Sequence, residues 1–351
     1  MFLSLLITIK NLIPPPEIAL TLGVVLFALS WIRPRRIISL PRAGARTVLL
    51  AWVGIAGSLL VVVIATIVSA IAVASYAHPT SGFDGWWRRP VPLFIATVVV
   101  AIAALALRRM PLPAPGERAI APRRPWHSFV SRMLLWISGI AAALLAVTAL
   151  WQGAIGVSAP KGAQFLGNVP VPTDLPIFMT FNSGYGFVAG TGWPNYLPTL
   201  VVLAVAAVVF VVALRTDANR PLFARSWASS VRAERELTAR VLTFILLGGL
   251  ITTLGAVWMH AGSIGQGMIG LTDVRLNEGL DGSDPSAEPV LIGSGYYAIA
   301  RPMNLIGHFL QAAGVAFLLR LAVDTARALV ASRRVAADTS NREATSTGVR
   351  R

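Results

Sequence analysis

The sequence predicts an all-α polytopic membrane protein. It would have seven transmembrane helices, N-out and C-in: one lone N-terminal span followed by three parallel-repeat helical hairpins. Three observations predict this class. Hydrophobic residues make up 55% of the 351-residue chain, mean hydropathy is +0.69, and only 13% of residues are charged, about half the charged fraction usual in soluble domains. Several runs approach or exceed the ~20 apolar residues that one membrane crossing needs. The basic residues sit mostly in short loops between those runs, the pattern of positive-inside orientation. The alternating ten-residue segments of a membrane barrel are absent.

The first run is Glu17 to Ile32. Pro14, Pro15 and Pro16 precede it and cannot extend a helix backwards; Arg33, Arg35 and Arg36 follow it. Charge after the apolar core, rather than before it, reads as an anchor and not a cleaved leader. The second run, Thr47 to Ala77, is longer than the hydrocarbon core requires, so it must tilt, kink or project. The third is Val91 to Leu107. The fourth, Met133 to Val157, carries Trp136 and Trp151 as interfacial anchors. The fifth is Leu197 to Leu214, with Trp193 and Tyr196 at its outer mouth. The sixth is Val241 to His260. The seventh is Met303 to Leu319, continuing into a segment where Arg320, Asp324 and Arg327 are spaced for side-chain pairing. With these spans, 24 of the 30 Lys and Arg residues fall inside and six outside, which orients the chain and places it as a multi-pass protein of the cell membrane. The net charge of +15 is therefore read as orientation signal and as attraction to the bilayer's anionic lipids, and not as a nucleic-acid footprint.

The outer turns repeat. Ser81-Gly82-Phe83, Ser183-Gly184-Tyr185 and Ser294-Gly295-Tyr296 each precede a proline that opens the next run: Pro90, Pro194 and Pro302. Pro172 to Met179 also resembles Pro285 to Ile292 in order and kind. Any hairpin turn uses Gly and Pro, but not this longer order. The boundaries that follow are 1–46 for the anchor span and its loop, 47–109 for hairpin one, and 110–131 for a cytosolic loop. Hairpin two is 132–215, a second loop is 216–239, hairpin three is 240–335, and 336–351 is a polar tail expected to be disordered. The outer loops of hairpins two and three, Ser158 to Asn195 and Ala261 to Arg301, are unusually apolar. They are expected either to dip between helices or to pack as an outer cap. Ser183, Gly184, Tyr185, Ser294, Gly295 and Tyr296 are the candidate recognition surface.

Chemistry-bearing motifs are sparse. The chain has no cysteine, which excludes disulfides, thiol nucleophiles and thiolate metal sites. Gly265 to Gly270 fits G-x-G-x-x-G, but a dinucleotide fingerprint must follow a strand and open a helix, and this one follows an apolar run. No catalytic residue and no metal site is expected. His260 and His308, both towards the outer half of hairpin three, are candidate axial ligands for haem b; otherwise no cofactor is expected. Asn304, His308 and Gln311 make the most polar stretch of any span, a candidate polar membrane site. The sequence therefore points first to a non-catalytic membrane subunit of a transport or cell-envelope complex, presenting its outer loops to a protein partner or to lipids. The alternatives are a permease or flippase served by a separate ATPase, and a haem-binding membrane redox protein.

Overall fold

A computed structural model describes residues 15–31, 37–38, 44–75, 86–111, 125–159, 174–181, 186–221, 228–270 and 291–348. Eight α-helices account for most of these residues: α1 (Pro15–Leu29), α2 (Ala45–Trp52), α3 (Ser58–Ser75), α4 (Val91–Arg109), α5 (Arg132–Ala154), α6 (Trp193–Ala218), α7 (Ala228–Gly265) and α8 (Tyr297–Gly348). A π-helical turn, Val53–Gly57, joins α2 to α3 without a break. Four short strands lie beyond the helices at one end: β1 (Phe178–Thr180), β2 (Phe187–Ala189), β3 (Met268–Gly270) and β4 (Leu291–Gly293). That end is the hairpin end; the opposite end is the arginine end.

Six helical stretches among the described residues are long and apolar enough to cross a membrane: Ala45–Ile71, Val91–Arg109, Arg132–Ala154, Trp193–Ala218, Val231–Gly265 and Tyr297–Arg333. The expected seventh, the first apolar run, is described as the 15 residues of α1. The remaining runs match the sequence reading in place but not in extent. Hydropathy registers only apolar residues, whereas α7 begins thirteen residues before Val241, in a stretch where Arg232 and Glu236 pair across one turn at 2.7 Å. The polar segment from 336, expected to be disordered, is helical as far as Gly348. Its alanines, arginine and glutamate are good helix formers.

The bundle is built around α7. Nine-tenths of its apolar span is buried, against about a fifth for α5 and α6. It packs along α8 and also meets α4 and α5; α8 in turn carries α1 and α3. Leu242, Ile245, Val257, Leu318, Leu321 and Leu145 fill the centre. The outward faces are the reverse of a soluble protein's. Trp136 is 72% exposed, Met133 71%, Val147 65% and Val208 62%. Large apolar faces of this kind are stable only against lipid or another apolar surface, and helices pair most of their backbone groups internally, as a bilayer demands; Pro198 and Pro302 each interrupt that pairing, in α6 and α8. The architecture is compatible with an integral membrane protein.

The α7–α8 contact is closer than leucine packing allows. Gly248, Gly255 and Gly262 recur every seven residues on α7, and Gly307 and Gly314 do so on α8. A methyl group built on Gly262 would lie 2.6 Å from Ala300 O, and one on Gly255 would lie 2.7 Å from Gly307 O. The helix backbones themselves meet there, as small residues permit in apolar surroundings.

At the hairpin end the apolar loop residues form a cap rather than solvated turns. In both long loops the strand preceding the Ser-Gly-Tyr phrase runs antiparallel to the segment leaving the previous helix. Phe178 pairs with Val157, and β4 pairs with β3. β1 also pairs with β2, and a further bridge, Phe181 to Ser294, ties one loop to the other. Ala159, Ile177, Phe178 and Phe187 make a small core of their own, which accounts for apolar residues in the first of the two loops. Ser81-Gly82-Phe83 and Ser183-Gly184-Tyr185 lie outside the described residues.

Candidate functional site

The densest group of buried polar side chains lies just beneath the cap. It is organised by the turn that leads into α6. Gly190 and Gly192 adopt φ of +120° and +83°, a region that favours glycine. Any side chain on Gly192 would strike Pro176 O. The turn delivers the Gly192 N–H to Gln152 O at 2.9 Å and the Thr191 carbonyl to Asn195 Nδ2 at 2.7 Å. It also brings Gly190 O to within 3.2 Å of His260 Nε2. A neutral imidazole fulfils that contact only when Nε2 carries the proton and donates it.

Four elements converge on this turn. From the segment before α4, Arg89 donates to Asn195 O at 3.1 Å, and its guanidinium lies 4.8 Å from the centre of the Tyr196 ring. That ring is 6.5 Å from the His260 ring. From α5, Thr148 accepts the Trp258 indole N–H at 3.0 Å, and one turn on Gln152 is fully buried. From the start of α8, the Tyr296 phenol donates to Ala261 O at 2.9 Å, and its ring meets Trp151 edge-on at 4.9 Å. Burial pushes this phenol up to about 12, with the Gln152 amide partly offsetting the shift and Tyr196 adding to it, so it is a neutral donor at any physiological pH.

Several buried groups here have no hydrogen-bond partner among the described residues: the Tyr196 hydroxyl and the hydroxyls of Thr191 and Thr199; the Gln152 amide lies beside the Tyr296 phenol but makes no well-formed hydrogen bond. Tyr196 and Thr199 are three residues apart and share a face of α6. An unmet buried polar group costs about 1–3 kcal/mol. Replacing Gln152 by leucine is therefore expected to raise thermal stability in detergent by about 1–2 kcal/mol. A loss of stability would show that the amide has a partner, such as bound water.

The sequence-predicted residues fall into three groups. Ser294 is buried and donates to Gly265 O at 2.6 Å. With Tyr296 it faces the bundle, and Gly295 alone of this trio is exposed. Ser183, Gly184 and Tyr185 lie outside the described residues. Asn304 donates to Met259 O at 2.7 Å and pins α8 to α7. His308 Nδ1 and Gln311 Oε1, on the same stretch, are buried with no hydrogen-bond partner among the described residues. His260 is held by Gly190 and stacks beside Tyr196, two residues from Gly262 and so on a different face of α7 from the glycines that meet α8. Among the described residues no three His, Asp or Glu side chains gather as metal ligands. The G-x-G-x-x-G stretch runs from the end of α7 into β3, helix before strand, the reverse of a nucleotide fold.

Arg89, Gln152 and Asn195 were not singled out from sequence. A glutamine inside the apolar run from Met133 to Val157 was the available signal. Arg89 gave none, because a loop arginine at a span's end usually reaches water. Chemically the group offers one fixed cation, a neutral imidazole, phenols, hydroxyls and an amide. That set suits hydrogen bonding to a polar ligand or to water. Comparison with known protein families, curated proteins and solved structures finds no match to the chain.

Proposed function

We propose that the protein is a non-catalytic membrane subunit of a transport or cell-envelope complex, spanning the cell membrane with its cap outside and its arginine end in the cytoplasm. The observation that carries this reading is the cap. Two long loops meet through the Phe181–Ser294 bridge, and the first of them closes over an apolar core of its own, a platform of the kind that positions binding loops. Orientation follows from the arginines at the opposite end. Parallel duplication of hairpins two and three is supported by the matching pairing of Phe178 and of β4 with the segment leaving the preceding helix. The lipid bilayer, with its anionic lipids, and a protein partner are the expected contacts.

The test is purification from native membranes in mild detergent, with a photocrosslinking residue at the exposed Gly295 and a control at the outward-facing Ile140 of α5. A discrete protein crosslinked from Gly295 and not from Ile140 supports the reading. Recovery of the protein alone, with no crosslink from the cap, overturns it. The buried polar group beneath the cap favours a second reading, a permease or flippase driven by a separate ATPase. Gln152→Leu separates the two, because it would abolish transport without disturbing partner binding.

A further inference from the structure

The arginine end holds a cavity of about 470 Å³ between α4, α6 and α7. Its upper wall is apolar, formed by Leu107 of α4, Ala213 of α6 and Leu242 of α7. Its lower rim is cationic, with Arg108, Arg215 and Arg220 around a single carboxylate, Asp217. That carboxylate is already taken: Arg46 Nη2 donates to both its oxygens, at 2.7 and 2.8 Å. None of the three rim arginines forms an ion pair among the described residues.

The rim is also held in place. Arg108 donates to Thr216 Oγ1 at 2.7 Å, spanning α4 and α6. Arg220 donates to Leu107 O and, at 2.7 Å, to Met110 O, closing the end of α4. Arg215 is exposed and borders the same opening. Burial and the neighbouring Arg46 hold the Arg220 guanidinium below the ordinary arginine value, against the pull of Asp217. Positive charge in surplus, fixed at a half-enclosed opening, is relieved by an anion. The planar guanidinium fork suits phosphate oxygens in particular.

We propose that this cavity binds a phosphate ester, and that the apolar wall above the rim selects the headgroup of an anionic membrane lipid as its source. A basic pocket between helices, below a surface that accepts an acyl chain, has that chemistry. The assignment to lipid rests on the reading that the helices cross a bilayer. Alkaline extraction of membranes tests that reading separately, since a released protein would fail it whatever the cavity binds.

The experiment is titration of the purified protein in detergent with phosphatidylglycerol, with phosphatidylcholine, and with inorganic phosphate, read by native mass spectrometry and thermal shift. Phosphatidylglycerol should bind in preference to phosphatidylcholine. Arg108→Gln with Arg215→Gln should weaken that binding about tenfold or more. Arg109→Gln, an exposed neighbour that does not line the cavity, should leave it unchanged. Competition by inorganic phosphate would assign the same chemistry to a soluble source, and its failure to compete would assign it to the lipid. The proposal is overturned if the two lipids bind equally, or if Arg109→Gln weakens binding as much as the double variant. Either result would reduce the effect to general surface attraction. The melting temperature without lipid shows whether the double variant is folded, and a change at Arg108 alone or Arg215 alone keeps the test available if it is not.

Discussion

Replacing Gly255 by leucine is expected to unfold or disassemble the bundle, at a cost above about 3 kcal/mol. The reason is geometric. A first side-chain carbon at this position already intrudes on Gly307 O and on the N and Cα atoms of Gln311. Those are backbone atoms of α8, and no rotamer change moves them aside. The two helices would have to separate along a seam that also includes Gly262 against Ala300 and Gly307 against Met259. Separation would strip contacts from the most buried helix in the protein and break the Asn304 and Tyr296 hydrogen bonds to α7. Gly139→Leu provides the contrast, since nothing lies within 4 Å of a side chain added there. Thermal melting in detergent of the two variants against the parent is the measurement. Equal stabilities would refute the seam.

The second large effect is at Asp217. Its side chain is 8% exposed and accepts from Arg46, whose Nη2 also donates to Thr238 at 2.7 Å. Arg220 and Arg235 lie close by, and Arg235 donates to the Arg220 carbonyl at 2.8 Å. Asp217→Ala leaves these arginines with no described carboxylate among them. Removing one partner of a buried ion pair costs about 3–5 kcal/mol, because the remaining charge is left desolvated. The double replacement Arg46→Leu with Asp217→Leu should cost less than Asp217→Ala alone, since no orphaned charge is created at the pair itself. A double variant as unstable as the sum of its single changes would remove the basis for this expectation.

Neither Gly255 nor Asp217 stands out in the sequence, whereas the spans do. Apolar runs are read by composition, so α4, α5 and α6 lie close to where hydropathy puts them. Arg320 and Asp324, four residues apart, pair at 3.3 Å as their spacing predicts. The glycine seam was less visible, because glycine and alanine are frequent throughout these helices and only a partner backbone shows which of them matter. The loops were legible in part. The apolar residues Ile177, Phe178 and Phe187 of the first loop are buried, as apolar side chains favour, but antiparallel pairing between segments some twenty residues apart leaves no local signature. The inward turn of Ser294 and Tyr296 had none either. A conspicuous motif shared by two loops reads equally well as a surface or as a fastening, and here the third copy fastens α8 to α7. Arg46 and Arg320 were counted as orientation charges. Both also hold helices together, Arg46 through Asp217 and Arg320 by stacking 3.5 Å from the Trp31 ring centre.

The position of α7 in the chain has a consequence for how the protein is made. In chain order the helix that fills the centre comes after α1 to α6 and directly before α8, the helix that seals its glycine face. Everything before it is synthesised around a gap. Helices α3 to α6 can meet one another early, but the buried faces of Leu93, Leu145 and Tyr196 must wait, shielded by lipid or by the insertion machinery, until the centre arrives. Polar groups such as Thr148 and Asn195 wait with them. A chain arrested before α7 would therefore leave a partly polar hollow between α3 and α6, which the α7–α8 pair closes when it arrives.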